Sequence, residues 1–434
     1  MPTYEDTLEF LDSFVNFEHI GLTARDTNFD LGKIRRVLRK MGDPQLDYRC
    51  VHIAGTKGKG SASAFLSSML RESGCNVGLY TSPHLTSVRE RIRVNGRMIG
   101  KRDLVSVADR LREHMDPGFS YFEAFTLMAI LHFSMQKVDH AVFEVGLGGR
   151  LDATNVINAG VCGISPISYD HTHVLGNTIE EIAGEKVAII KRKARCVSSP
   201  QKPAALEVIR EKCEKENASL SVVGKDITYD IKRLDETGSC FDVFGRSGAY
   251  EDCLTRMPGD FQPLNCAVAV GLCEELLQGA SLDARKIKKG IEKAFLPGRL
   301  EIIGREPLIV IDGAQNGESA RRLRSSVERI FDHGRLILLL GMSKDKDIKS
   351  VCEELAPLAD SVVLTRASIE RAADPLLIRG YIKGKKVTVT GDTREALGAA
   401  LSRAGKNDTI LATGSFFVIG EIRRMILGDG KGRC

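Results

Sequence analysis

The feature that most constrains the fold is the stretch "HIAGTKGKGSAS", residues 52–63, in which glycines and lysines lie between two apolar segments. The preceding segment, "YRCVHIA", is rich in aromatic and β-branched residues and is typical of a strand. The following segment, "SASAFLSSMLRESG", is predicted to be a helix that ends at Gly74. Backbone N–H groups at a helix start bind anions, and the helix dipole adds positive potential. The pattern therefore predicts a strand, a phosphate-binding loop and a helix.

The glycine spacing departs from the usual phosphate loop. Its first two glycines are three residues apart rather than five, and a further glycine separates Lys59 from Ser61. A turn that only joins a strand to a helix is the alternative. A lysine for the β- and γ-phosphates and a hydroxyl for Mg²⁺ favour phosphate binding, whereas Lys57 is expected to be a solvated loop residue. The predicted phosphate-binding residues are Gly55, Thr56, Gly58, Lys59, Gly60 and Ser61.

Composition narrows the class of protein. The 434 residues are enough for two or three domains, and the net charge of +5 does not indicate a nucleic-acid partner. The 11 cysteines include no CxxC pair and lie mostly in apolar runs, which indicates reduced core residues. The acidic, amphipathic N-terminus is unlike a targeting peptide, and no apolar stretch is long enough to span a bilayer. We therefore expect a cytoplasmic protein with no nucleic-acid or membrane partner.

Alternating strands and helices predict an α/β protein of two parts. Strands such as "NVGLYTSP", "HAVFEVG" and "GVCGISPIS" indicate a mostly parallel sheet in an N-terminal phosphate-loop ATPase domain. Within it, "ITYDIKRL" and "SCFDVFG" alternate polar and apolar residues and predict a small antiparallel β segment. The Pro-Gly pair of "FLPGRLEII" marks a linker, after which the strand–helix rhythm restarts. The predicted domains are residues 1–296 and a smaller, Rossmann-like α/β domain, residues 297–434.

Reactive side chains follow several predicted strands. Ser82 follows "NVGLYT", Glu144 lies near the end of "HAVFEVG", and Asp170 and His171 come just after "GISPIS". Ligands of open α/β sheets bind outside the carboxyl ends of the strands, so these groups are candidates to hold the hard cation that accompanies ATP. Each residue alone also has an ordinary interpretation as a turn or loop residue. Their recurrence at four strand ends favours a site.

Two glycine-containing segments have open interpretations. "RERIRVNGRMIG", residues 89–100, has Asn-Gly between alternating residues and predicts a hairpin with arginines on one face. Those arginines are either solvated or form a basic clamp for a carboxylate-rich substrate. "GLGGRLDATN", residues 146–155, suits a backbone that closes on a substrate, and the alternative is a mobile turn.

The chain resembles the folylpolyglutamate synthase and dihydrofolate synthase family, a branch of the Mur ligases. The matching stretches run in family order over nearly the whole chain: "GTKGKGS", "TSPHL", "ERIRVNG", "FEAFT", "EVGLGGRLDATN", "DHTHVLG", "GEKVAIIK", "GDFQPLNCAVA", "PGRLE", "DGAQN", "DKD" and "TGSFFVIGE". The resemblance implies an ATP-dependent ligase. A pterin or folate carboxylate would take the γ-phosphoryl group of ATP to become an acyl phosphate, and the amine of L-glutamate would displace phosphate.

The resemblance also implies roles for individual residues. Lys59 would hold phosphate oxygens, and ATP would be contacted by Asn265, Arg299 and Asp312. Mg²⁺ would be bound by Ser82, Glu144 and His171. Lys186 corresponds to the lysine that the family carboxylates with CO₂, and it would help to hold a second Mg²⁺ near His171. The implied catalytic residues are Lys59, Lys186, His171 and Asp312.

Helical spacing gives a separate expectation for Lys186. In a helix from about Thr178 to Lys191, it shares a face with Ile182 and Ala183, so its stem is expected to lie on the buried side. The alternative is that its ammonium group reaches solvent or pairs with a carboxylate.

One motif departs from the family. The usual histidine of DGAHN is Gln315, and Gly317 stands where proline is common. Glutamine forms hydrogen bonds but carries no charge. A Mur-type ligase for another carboxylate acceptor and a nucleotide-regulated binding protein without turnover are therefore the alternative functions, and a phosphate-loop kinase or GTPase is disfavoured by the extra glycine. The protein is expected to act as a monomer.

Overall fold

The computed structural model describes residues 2–21, 30–278, 282–331 and 334–428. The helices are α1 Tyr4–Asp12, α2 Phe17–Ile20, α3 Leu31–Lys40, α4 Lys59–Glu72, α5 Lys101–Arg112, α6 Tyr121–Met135, α7 Thr172–Leu175, α8 Ile179–Val187, α9 Pro203–Lys215, α10 Gln262–Leu276, α11 Ala284–Lys293, α12 Gly317–Ile330, α13 Ile348–Leu355, α14 Pro375–Arg379, α15 Thr393–Leu401 and α16 Phe416–Leu427. The strands are β1 Arg49–Ala54, β2 Val77–Tyr80, β3 Ile92–Val94, β4 Arg97–Met98, β5 His140–Glu144, β6 Val161–Ile164, β7 Arg195–Ser198, β8 Ser219–Val222, β9 Thr228–Asp235, β10 Gly238–Phe244, β11 Ala249–Thr255, β12 Glu301–Arg305, β13 Leu308–Ile311, β14 Leu336–Leu340, β15 Ser361–Leu364, β16 Lys386–Val389 and β17 Thr409–Thr413.

An eight-stranded sheet in the order β4-β3-β2-β5-β1-β6-β7-β8 forms the first part of the molecule. Six of its strands, β2, β5, β1, β6, β7 and β8, are neighbours in this order and run parallel to one another. β1 therefore lies between β5 and β6. Val51 and Ile53 of β1 are fully buried, as expected for a strand covered by helices on both faces. The carboxyl ends of β1, β2, β5 and β6 therefore meet at one edge, where the sequence places its reactive residues.

Both predicted antiparallel features are present. β3 and β4 form a hairpin whose turn residues, Asn95 and Gly96, have φ values of 51° and 78°. The segment after β8 forms a three-stranded sheet in the order β11-β10-β9. The sequence predicted β9 and β10 but not β11, because buried and exposed residues do not alternate regularly along β11. The break in alternation accompanies a register shift in the β10–β11 pairing, between Phe241 and Val243.

A six-stranded sheet, β12-β13-β17-β14-β15-β16, forms the second part. It is parallel except that β12 pairs antiparallel with β13. The linker predicted at the Pro-Gly pair is short, because β12 begins at Glu301, only three residues after Gly298. Alternate residues of β14 enter hydrophobic clusters on opposite faces of this sheet. The two-part α/β architecture predicted from the sequence is confirmed.

The two parts contact each other beside the site. The backbone N–H of Arg371 donates to the carbonyl of His19 (3.2 Å), and its guanidinium donates to the carbonyl of Glu18 (2.9 Å). Nearby, Arg424 of α16 donates to the carbonyl of Thr86 (2.6 Å). The short helix α2 and the loop after β2 thus connect the first part of the chain to the second.

Candidate active site

The glycine loop between β1 and α4 has the geometry of an anion site. Gly58 precedes α4 with φ of 83° and provides no side-chain cap, so the first N–H groups of the helix are left for a ligand. A Cβ atom on Gly58 would lie 2.2 Å from Oδ1 of Asn265, so a larger residue does not fit here. The side chain of Lys59 folds over the loop and donates to the carbonyl of Gly55 (3.1 Å).

Lys57 is not the solvated loop residue that the sequence suggested. Its Nζ donates to Oδ2 of Asp170 (3.3 Å), and its side chain is 18% exposed. The same carboxylate accepts from Nδ2 of Asn316 (3.1 Å) and lies 3.5 Å from Nζ of Lys346, both in the second part of the chain. Although burial raises the pKa of Asp170, the cations around it lower that pKa far below its ordinary value. Asp170 therefore connects the glycine loop to the second sheet.

Glu144, at the end of β5, is buried beside the glycine loop. Its Oε2 accepts from the backbone N–H of Ser82 (3.2 Å), and a Cβ on Gly60 would lie 3.3 Å from its carboxylate oxygens. Burial raises the pKa of Glu144 above its ordinary value, and the positive charge of Lys59 opposes that rise. The carboxylate is thus placed where a cation would stabilise its charged form.

Arg299 and Asp312 lie on the opposite wall of the cavity. Oδ2 of Asp312 accepts from the N–H of Leu300 (3.0 Å) and Oδ1 from that of Ala314 (2.8 Å). Burial raises the pKa of Asp312, while Arg299 opposes the rise. The Arg299 guanidinium lies 4.6 Å from the ring centroid of Phe416. Backbone bonds and stacking fix both charged groups before a ligand arrives.

Lys186 and His171 are buried at the same edge. α8 ends at Val187, earlier than predicted, but Lys186 lies on its buried side as expected and is 4% exposed. Burial, with a contribution from Lys59, lowers the pKa of Lys186 to about 7. Burial also lowers the pKa of His171 to about 3, and its Nε2 lies 3.2 Å from Nζ of Lys346. Because the Lys186 side chain is buried, the alternative that its ammonium group reaches solvent is wrong.

A single cavity of about 660 Å³ brings the predicted residues together. Its lining includes all of them: Gly55, Thr56, Gly58, Lys59, Gly60, Ser61, Ser82, Glu144, His171, Lys186, Asn265, Arg299 and Asp312. Gln315 lines it as well, and the lining also includes the aromatic residues Phe17 and Phe122. The cavity is contributed by both parts of the chain.

The residues fit a phosphate ligand more completely than a protein-held metal. Gly58 leaves space and free N–H groups for phosphate oxygens, as described above. Within the part of the chain that the structure describes, no group of three or more His, Cys, Asp or Glu is placed to hold a metal ion. Mg²⁺ usually takes one or two carboxylates together with phosphate oxygens and waters, so Glu144 and its neighbours fit an ion that arrives with ATP.

Sequence reasoning missed several residues of the cavity. Lys346 lies in the quoted "DKD" stretch, six residues after β14, and Arg371 lies in an irregular loop seven residues after β15. Both strands belong to the second sheet, and the sequence patterns did not indicate that its loops reach the glycine-loop edge of the first sheet. Glu18, from the N-terminal region, also lines the cavity. The sequence predicted that the arginines of residues 89–100 lie on one face of the hairpin, either solvated or facing a substrate. This prediction is wrong for Arg91, which is fully buried and forms an ion pair with Glu18.

Comparisons with known proteins agree with this geometry. Residues 53–273 match the Mur ligase middle domain, and residues 298–416 match the Mur ligase glutamate ligase domain. The dihydrofolate synthase/folylpolyglutamate synthase of Bacillus subtilis is 33% identical over 91% of this chain and 94% of its own length. That of Escherichia coli is 31% identical over 94% of this chain and 93% of its own length.

Solved structures give the same result. The Mycobacterium tuberculosis folylpolyglutamate synthase complexed with ADP superposes with a TM-score of 0.87, with 31% identity over 99% of this chain and 98% of that chain. The E. coli FolC complex with DHPP and ADP has a TM-score of 0.86, with 27% identity over 98% of this chain and 99% of that chain. The fold and the cavity thus define a Mur-type ligase that uses ATP. The chain belongs to the folylpolyglutamate synthase and dihydrofolate synthase family.

The comparisons confirm the predicted family and enzyme class, an ATP-dependent ligase. Among the helices that the structure describes, none combines the length and the hydropathy that a bilayer span requires.

Proposed function

We propose that this protein uses ATP to join L-glutamate to the carboxylate of a folate or dihydropteroate acceptor through an acyl phosphate. The observation that carries the proposal is the shared cavity. A phosphate-type loop forms one wall and the second sheet supplies Arg299, Asp312 and Lys346. A carboxylate resists attack by an amine until it has a leaving group, so phosphate donor, acceptor and amine must meet in one place. A cavity formed by two contacting domains supports such a meeting and excludes water from the acyl phosphate.

The glycine loop is proposed to hold the phosphates. The N–H groups at the start of α4 and the ammonium group of Lys59 would offset charge on the transferred group, which is the main requirement of phosphoryl transfer. Gly55, Thr56, Gly60 and Ser61 complete the loop. Asn265, Arg299 and Asp312 are proposed to position the rest of ATP from the other walls of the cavity. These roles agree with ADP in the related M. tuberculosis structure.

Ser82, Glu144 and His171 are the proposed Mg²⁺ residues. Mg²⁺ bound there would neutralise charge on the phosphate oxygens. Glu144 supplies the anionic oxygen, and its backbone bond to Ser82 fixes its direction. Lys186, if carboxylated by CO₂, would add a second anionic group beside His171, and its burial favours the unprotonated amine that can react.

The narrower features of the proposal follow from the chain itself. Gln315 is proposed to orient a phosphate or substrate group by hydrogen bonding, in place of the family histidine. The boundary between residues 296 and 297 stays a prediction, supported by the restart of strand–helix alternation at β12 and β13. A monomer in the cytoplasm is likewise proposed. A Mur-type ligase for another carboxylate acceptor remains the second candidate, since Gln315 departs from the family motif.

Incubation with ATP, Mg²⁺, L-glutamate and either dihydropteroate or a tetrahydrofolate tests the proposal. We expect release of ADP and phosphate that depends on glutamate, and mass spectrometry should detect one added glutamate on the acceptor. Lys59→Ala should lower turnover at least about 100-fold, because it removes charge that offsets the phosphates. Lys225→Ala, at an exposed loop position, is the matched control.

Absence of a glutamylated product with both acceptors would exclude the proposed reaction. Full turnover by Lys59→Ala would instead show that the glycine loop has only a structural role.

A further inference from the structure

Lys346 reaches into the cavity from the second part of the chain. Its side chain is 4% exposed, and its Nζ lies 3.5 Å from Oδ1 of Asp170 and 3.8 Å from Oδ2 of Asp345. A nearly buried ammonium group needs anionic partners, because burial of an unpaired charge is costly. Nothing in the phosphate chemistry described above uses this cation.

The loop that carries Lys346 is fixed in place. Ser343 pairs with Ala372, and the N–H of Lys344 donates to the carbonyl of Arg371 (2.9 Å). The guanidinium of Arg371 in turn donates through Nε to Oδ1 of Asp345 (2.6 Å). These bonds hold the backbone before Lys346, and the carbonyl of Lys346 itself accepts from the N–H of Ile348 (2.8 Å). The ammonium group is therefore positioned before any ligand binds, which lowers the entropic cost of binding.

The charges around Lys346 do not balance. Asp170 pairs with Lys57 as well as with Lys346, and Asp345 pairs with Arg371. Three cations thus share two carboxylates, which leaves one positive charge in excess. An excess of one charge suits a single carboxylate, whereas the triphosphate of ATP carries several charges and already has the glycine loop.

We propose that Lys346 binds the α-carboxylate of the incoming L-glutamate. This inference rests on the proposed function. Asp170 connects Lys346 to Lys57 of the glycine loop, so Lys346 lies beside the loop that is proposed to hold the phosphates. In glutamate, the amine and the α-carboxylate are bonded to the same carbon. A salt bridge to the α-carboxylate therefore holds the amine close to the acyl carbon, whereas the side-chain carboxylate is too far from the amine to do so.

Steady-state kinetics of the full-length protein test the assignment. In Lys346→Met, we expect the KM for L-glutamate to rise at least about tenfold, as for loss of one charge-assisted hydrogen bond. The KM values for ATP and for the acceptor should change by less than about twofold. Lys349→Met is the matched control, because that lysine is 66% exposed and outside the cavity. Lys346→Gln keeps a hydrogen-bond donor toward His171 and serves if the methionine variant does not fold.

A second substrate distinguishes the α-carboxylate from other contacts. 4-Aminobutyrate has the amine and the distal carboxylate of glutamate but no α-carboxylate. The wild-type protein should prefer L-glutamate strongly, and Lys346→Met should reduce that preference at least about tenfold. An unchanged preference, or an equal rise in the KM for ATP, would overturn the assignment while glutamate addition by the wild type upholds the proposed function. No glutamylated product from the wild type would overturn both.

Discussion

Lys186 shows how surroundings change the chemistry of one residue. It is 4% exposed, and burial lowers its pKa to about 7, whereas the ordinary lysine value is 10.5. Lys59 shifts the pKa in the same direction, since a second cation disfavours protonation. An amine without a proton reacts with CO₂ and loses a proton to give a carbamate, which converts the position from cationic to anionic. An anion there would offset the positive charges of Lys59 and of an Mg²⁺ held by the proposed residues, which would reduce the electrostatic cost of burying those cations together.

We expect Lys186→Ala to lower synthesis at least about 100-fold, because it removes that anionic group from the site. Short carboxylates such as acetate should restore part of the activity by occupying the space. Lys193→Ala, at an exposed position six residues after the end of α8, is the control and should retain activity. The modification itself is measured by ¹³C NMR in ¹³C-bicarbonate, where a carbamate signal should be present in the wild type and absent in Lys186→Ala. An active wild type without that signal would contradict the prediction.

The part of the site that could be predicted from the sequence consists of residues at the ends of strands. Lys59 and His171 follow strands of the first sheet and Glu144 ends one, and parallel strands place these ends at one sheet edge. The contacts of Asp170 with the second part of the chain could not be predicted from strand order. Asn316 and Lys346 reach it from the second sheet, 146 and 176 positions along the chain. Their meeting depends on how two domains pack, for which a local pattern has no signal.

At the scale of elements, the short helix α2 depends on an ion pair between the partly exposed Glu18 and a fully buried arginine, Arg91. A four-residue helix is not stable by itself, and α2 is held by Glu18, whose carboxylate bonds the guanidinium of Arg91. Arg91 is fully buried, donates through Nε to Nδ1 of His84 (2.9 Å), and lies 5.3 Å from the ring centroid of Tyr121. Sequence patterns predicted strands and helices around the glycine loop because their periodicity is strong. They gave no indication that a hairpin arginine would be buried against an N-terminal helix.

Glu18→Gln should therefore destabilise the protein by about 3 kcal/mol, because it leaves the Arg91 guanidinium buried without an anionic partner. Glu353→Gln, in an exposed pair with Lys349, should change the free energy of unfolding by less than about 1 kcal/mol. Urea denaturation measures both values. Equal effects of the two substitutions would show that the Glu18–Arg91 pair contributes no more than a surface pair.

The same pair gives a pH dependence of stability. Burial raises the pKa of Glu18, but the charge and hydrogen bonds of Arg91, together with smaller contributions from His84 and His19, bring the folded pKa below the ordinary value of 4.5. The stabilisation is therefore present above that ordinary value and is lost as the pH falls through the lower, folded pKa. Glu18→Gln should remove this part of the acid-induced loss. Identical pH profiles for the wild type and the variant would contradict the prediction.

At the scale of the whole molecule, catalysis depends on how the two sheets are held together. The cavity takes its phosphate loop from one part and Arg299, Asp312 and Lys346 from the other. α16 packs directly on the loop after β2, where Arg424 donates to the carbonyl of Thr86 (2.6 Å). A Cβ atom on Gly420 would lie 2.1 Å from the carbonyl oxygen of Leu85, so the backbones approach too closely for any side chain. We therefore expect this contact to limit how far the two walls of the site can move apart.

Gly420→Ala should displace α16 from Leu85 and widen the cavity without touching any substrate-binding residue. A displacement of about 1 Å at reacting groups costs up to about 100-fold in rate, so we expect turnover to fall at least about tenfold. Amide hydrogen exchange at residues 85–87 should become faster, because their N–H bonds to Glu90 lie at the displaced contact. Gly398→Ala is the matched control, since this glycine lies in helix α15 with open space around it and alanine there favours the helix. Full turnover by Gly420→Ala, with unchanged exchange, would show that this contact does not control the geometry of the site.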